Sequence, residues 1–178
     1  TKQWYFSPAE PALVPLDLLQ VLSERGIDEK YIKLCVKSDL NREMVRSDCY
    51  LLCTDTEIIV LSGSVTLKKG SQKKTVRKFE LLSWDVFELA GLSDFKVEEQ
   101  ISSARFTAKD KDGRYVLLAN LSNTYKGDFF TCARFIEELK KDGKITPDEK
   151  KGNRRDDMFC PKCGSRYIDD ERKLCPKC

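Results

Sequence analysis

The spacing of apolar residues changes period twice along the chain. Leu16, Leu19 and Leu22 recur at helical spacing and predict a short helix over Pro15–Arg25, closed by Gly26. From Tyr31 onward the pattern turns to short apolar blocks and alternation, the signature of strands. Tyr31–Val36 is the first candidate. Cys49–Thr54 and Glu57–Leu61 flank an Asp55-Thr56 corner and predict a hairpin. Ser62-Gly63-Ser64 reads as an interruption, after which Val65 and Leu67 alternate with polar neighbours. Thr75–Leu82 and Asp85–Leu89 are two further strand candidates. Phe95, Val97 and Ile101 share one parity, as do Ala104, Phe106 and Ala108. Lys111-Asp112-Gly113-Arg114 predicts a type I′ hairpin turn, with Arg114–Leu121 as the returning strand. The helical period then returns in Phe129, Cys132, Ala133, Ile136 and Leu139. Asp128 suits the N-cap of that helix, Lys140 and Lys141 suit its last turn, and Gly143 its end.

About seven strands closed by one amphipathic helix predict a mainly β (α+β) fold. The layout is that of a pleckstrin-homology-like bent sheet or barrel, in which a helix with one apolar stripe plugs the open end. An α+β sheet with a single packed helix is the alternative. The expected organisation is a body over 1–143, including an aromatic N-terminal arm (Trp4, Tyr5, Phe6). A charged linker over 144–157 and a small cysteine-bearing unit over 158–178 follow.

That last unit carries the sharpest chemistry. Cys160-Pro161-Lys162-Cys163 and Cys175-Pro176-Lys177-Cys178 repeat one tetrapeptide, with eleven residues between the pairs. Two such turns aim four thiolates at one point, the ligand set of a closed tetrahedral zinc site. With no position left open, the zinc would be structural. Iron in a rubredoxin-like site is one rival reading. Disulfides are another, but no secretory context supports them. A unit of about twenty residues has too little core to fold alone, so the metal would hold it together. The remaining cysteines, Cys35, Cys49, Cys53 and Cys132, are expected to pack in the core.

Charge adds one feature. The 178 residues hold 32 basic and 29 acidic side chains, a formal +3. The eight basic and five acidic residues of 151–178 account for that whole excess, and four metal-bound thiolates would largely cancel it. Nucleic acid is therefore not the expected partner. Within the body, Lys68, Lys69, Lys73, Lys74, Arg77 and Lys78 gather six cations in eleven residues without an acid. The plain reading is a solvated hairpin tip that discourages edge aggregation. The functional reading is attraction to anionic lipid headgroups, where each basic residue contributes about 1 kcal/mol.

Catalysis is not expected. The chain has no histidine, which removes Ser/His/Asp constellations. Gly70–Thr75 has the outline of a phosphate loop, but Lys73 and Lys68 stand where that loop needs glycines, so no nucleotide site is expected. No apolar run approaches the ~20 residues of a membrane helix, and the start lacks an apolar signal core. Reduced thiols fit a cytoplasmic setting. The absent initiator methionine and a last residue that is itself a candidate ligand lead us to expect a longer parent.

Cys160–Cys178, with Asp169-Asp170-Glu171-Arg172-Lys173-Leu174 before the second pair, resembles the cytosolic N-terminal extension of certain bacterial ABC exporters. In that family a pleckstrin-homology-like domain precedes a four-cysteine knuckle. The resemblance implies a regulatory or accessory module at the cytoplasmic face of the cell membrane. It implies transmembrane and ATPase domains of the parent chain as partners, and a structural zinc held by Cys160, Cys163, Cys175 and Cys178. The competing expectation is a free-standing zinc-ribbon adaptor that binds nucleic acid or protein.

Overall fold

The computed structural model describes residues 12–69 and 75–141, together with the backbone of 157–159 and 166–168. Helix α1 (Leu16–Glu24) is followed by β1 (Leu34–Leu40), β2 (Arg46–Cys53), β3 (Glu57–Lys69), β4 (Thr75–Glu88), β5 (Ser93–Glu99), β6 (Ser103–Lys109), β7 (Tyr115–Ser122) and helix α2 (Lys126–Lys141). Strands β8 (Asp157–Phe159) and β9 (Arg166–Ile168) form a separate antiparallel pair. The main sheet is antiparallel with seven strands in the order β4-β3-β2-β1-β7-β6-β5.

The middle of that order is its thinnest seam. β1 and β7 share one register pair, Leu40 with Asn120. Side chains hold the rest: Ser38 Oγ donates to the Asn120 carbonyl, and Asn120 Nδ2 donates to the Asn41 carbonyl at 3.1 Å. Asp39 Oδ1 accepts from the Ser122 amide at 2.9 Å. The sheet curls around this seam. Arg42, in the β1–β2 turn, reaches Asp85 on β4 at 3.6 Å and donates to the Leu117 carbonyl on β7 at 3.4 Å. In a flat sheet those strands would lie about 19 Å apart, four spacings of ~4.8 Å.

Two apolar clusters lie on opposite faces of β1–β4. On the inner face, α2 inserts Phe129, Cys132, Phe135, Ile136 and Leu139 against Leu34, Leu51, Ile58, Phe106 and Leu118. On the outer face, α1 lays Leu18, Val21 and Leu22 over Ile32, Tyr50, Leu52, Ile59 and Phe79. The stripe of α1 is therefore 18-21-22, whereas the helical spacing of the leucines predicts 16-19-22. Leu16 is exposed because it sits in the first turn, before the helix reaches the sheet. The helix ends as expected. Gly26, at φ 73°, donates to the Ser23 carbonyl while Ile27 donates to the Leu22 carbonyl, a Schellman closure.

Several expectations need correction. β1 starts three residues later than Tyr31, because Glu29–Tyr31 forms a turn of 3-10 helix. Thr75–Glu88 is one strand, not two, and β3 runs unbroken through Ser62-Gly63-Ser64. The apparent break is a bulge: Ser62 faces Ser83 and Gly63 faces Leu81, so Leu82 is the extra residue. The bulge switches parity, which lets Phe79, Leu81 and Trp84 all join the α1 cluster. Ile101 is fully exposed in the β5–β6 turn. The β6–β7 turn is not type I′. Only Gly113 has positive φ (76°), while Asp110 Oδ1 accepts the amides of Asp112 and Arg114, each at 2.9 Å. Asp128 lies inside the first turn of α2 rather than at its cap, because the 3-10 turn Asn123–Tyr125 runs straight into the helix. Gly143 lies outside the described residues.

Candidate functional site: a basic arm and a tail hairpin

The β3–β4 hairpin is longer than the sheet that carries it. β2 pairs with β3 only as far as Asp48 opposite Gly63, yet β3 and β4 stay paired on to Lys69 opposite Thr75. The stretch beyond Gly63 thus projects as a two-stranded arm. Its root is fixed by three contacts. Asp48 holds Lys37 at 3.5 Å and accepts from the Val65 amide at 3.4 Å. Phe79 is buried in the α1 cluster, edge-on to Tyr50. Gly63 lies under it: a Cβ there would come within 2.6 Å of the Phe79 ring.

Four of the six cations read from the sequence fall on the described part of this arm. Lys68 and Lys69 end β3, and Arg77 and Lys78 lie on β4; Lys73 and Lys74 lie outside the described residues. Two of the four are matched by acids that the local sequence did not reveal. Arg77 pairs with Asp17 of α1 at 3.2 Å, and Lys68 with Glu80 at 3.8 Å. Lys69 and Lys78 make no ion pair among the described residues. The arm also exposes apolar side chains: Leu67 is 68 % and Val76 54 % exposed. Exposed ammonium groups beside unsatisfied apolar surface suit an interface that is anionic above and apolar beneath. The exposed Leu67 was legible as alternation, but its exposure was not, since that depends on where β2 stops.

The tail contributes a short antiparallel pair, Asp157 opposite Ile168 and Phe159 opposite Arg166. Cys160 and Cys163 belong to the connection between these strands. All four candidate ligands, Cys160, Cys163, Cys175 and Cys178, lie outside the described residues. Among the described residues, no group of three or more Cys, Asp or Glu side chains could hold a metal. Cys49, Cys53 and Cys132 are buried in the body and Cys35 half-buried. Burial pushes the thiols of Cys35, Cys49 and Cys53 up to about 12 and that of Cys132 well above its ordinary value. They are held as neutral packing groups. Trp84 serves as a packing anchor, with the Arg25 guanidinium 4.5 Å above its ring; Trp4 lies outside the described residues.

No helix among the described residues is long and apolar enough to cross a membrane. No protein-family model matches the chain, and no match exists among the curated proteins or the solved structures.

Proposed function

We propose that this chain is a non-catalytic accessory module that docks on the anionic, cytoplasmic surface of a membrane through the β3–β4 arm. In this reading the body is a pleckstrin-homology-like domain, and the tail is a zinc knuckle closed by Cys160, Cys163, Cys175 and Cys178. The observation that carries the reading is the arm itself: paired strands running past their sheet, with exposed Leu67 on one face and exposed Val76 on the other, and with Lys69 and Lys78 in no ion pair among the described residues. The strand order with its C-terminal helix supports the pleckstrin-homology-like assignment. The β8–β9 pair, which brackets the first cysteine pair in sequence, supports the knuckle. The resemblance of Cys160–Cys178 to ABC exporter extensions sets the wider expectation. There the module regulates or positions an ATP-driven exporter, with the parent's transmembrane and ATPase domains as its partners.

Flotation with vesicles containing phosphatidylserine tests the membrane step. Reversing two charges, Lys73→Glu with Lys74→Glu, removes about 2 kcal/mol or more of attraction, so partitioning should fall at least about 30-fold. Unchanged flotation would sink the membrane reading. Metal analysis of the reduced chain should find one zinc. Cys160→Ser with Cys175→Ser should lose it and leave residues 158–178 open to proteolysis while the body stays folded.

A further inference from the structure

The sheet has two edges, and the fold treats them differently. Along β5, α2 supplies partners: Glu137 Oε1 accepts the Phe95 amide at 3.4 Å, and Lys140 Nζ donates to the Leu92 carbonyl. At the other edge, β4 has β3 as its one strand partner among the described residues. It is 14 residues long, contains no proline, and exposes Val76, Leu82 (70 %) and Val86. A long edge with exposed apolar side chains is a template for a further strand. Against a foreign strand it carries two defences, the bulge at Leu82 and the charges of Lys78 and Asp85.

We propose that β4 pairs antiparallel with β4 of a second copy of this chain, about a two-fold axis at the Leu82 bulge. The charge pattern argues for this occupant. Arg77 and Lys78 precede the bulge, and Asp85 and Glu88 follow it. With bulge against bulge, Lys78 faces Asp85 of the second copy, Phe79 faces Trp84, Glu80 faces Ser83 and Thr75 faces Glu88. The faces agree as well. In a regular strand residues 78 and 85 point to opposite sides; the extra residue at Leu82 brings both to the inner side, and puts Phe79 and Trp84 together on the α1 side. The edge is thus complementary to its own reverse, as an isologous contact requires. Lys78 has no ion pair among the described residues, while Asp85 holds Arg42 through Oδ2. The features that would reject an unrelated strand accept this one. The contact uses the β4 edge of the same arm, Lys78 included, but it needs no membrane and is measured in solution, so its failure and that of the membrane reading are told apart.

Sedimentation velocity of the 178-residue chain, purified with zinc, tests it. A small, single-strand contact should give a reversible dimer with a Kd on the order of 100 µM. Lys78→Asp and Asp85→Lys each set like charges face to face twice, and each alone should weaken the dimer at least about tenfold. Mixing the two variants in equal amounts should restore it, because every contact then joins opposite signs. Leu82→Lys, at an exposed position on the axis, should also give a monomer and does not depend on the Arg42 contact. A wild-type chain that stays monomeric at about 1 mM overturns the proposal. So does a dimer that ignores Lys78→Asp and Leu82→Lys, which would lie on another surface, and so does a mixture no better than either variant alone.

Discussion

The two halves of the sheet solve the same problem with different amounts of cover. The paired stretches of β2 and β3 are buried on both faces, by α2 within and by α1 without, and their sequences run as apolar blocks: Tyr50-Leu51-Leu52-Cys53 and Ile58-Ile59 are all buried. Strands β5–β7 have α2 on one face only. Their outer face is polar, with Lys96 3.9 Å from the Tyr115 ring centroid, Lys109 5.1 Å from it, and Asp94 accepting from the Tyr115 hydroxyl at 3.1 Å. Double cover explains why the arm can leave the sheet in the first half: the α1 cluster grips Phe79 and Asp17 grips Arg77, so the hairpin root stays fixed without β2. It also concentrates the sensitive points of the molecule there.

The largest expected difference lies at Gly63. Gly63→Ala would drive a methyl into the Phe79 ring and the Glu80 carbonyl, costing about 1–3 kcal/mol. Amide exchange should rise along the arm and α1 while β5–β7 keep their protection; equal loosening of both halves would break the comparison. Next comes alkaline pH. The thiol of Cys53 is raised by burial to about 12 from an ordinary 9.0. The neutral thiol is favoured in the fold, so its stabilising effect is intact below pH 9 and is lost as pH rises toward 12. Linkage gives about 1.4 kcal/mol lost by pH 10. Cys53→Ala lowers stability outright but should flatten the fall between pH 9 and 11 in urea titrations; an unchanged slope contradicts the assignment.

The smallest difference compares two turns, one in each half. Asn41 accepts the amides of Glu43 and Val45 just as Asp110 accepts those of Asp112 and Arg114. The left-handed position is Met44 (φ 62°) in one turn and Gly113 (φ 76°) in the other. Met44→Gly should therefore stabilise by about 1 kcal/mol, and Gly113→Ala should destabilise by a similar amount. Two shifts of the same sign would show that the turns are not equivalent.

The β6–β7 hairpin was located from Asp112-Gly113, while the β1–β2 turn at Asn41–Val45 gave no such signal. Its left-handed residue is a methionine, and the Asn41 side chain, not a glycine, supplies the closure. The stripe of α2 was legible at Phe129, Cys132, Ala133, Ile136 and Leu139, because one face of a regular helix meets one core; Phe135, buried beside them, was not read. The stripe of α1 was misplaced by its first turn, since leucines at 16, 18, 19 and 22 leave the phase to whatever the helix lies on. The basic arm was legible as composition, but its acids were not: Asp17 stands far away in the chain and meets Arg77 only across the α1–β4 contact. Local order fixed what depends on period: which segments extend, which coil, and that four C-terminal thiols fall in two matched pairs. Only the assembled sheet decided where β2 stops, where the bulge changes parity, and which charges find partners. Those depend on contacts between residues remote in sequence, and a pattern read along one strand holds no information about the neighbour beside it.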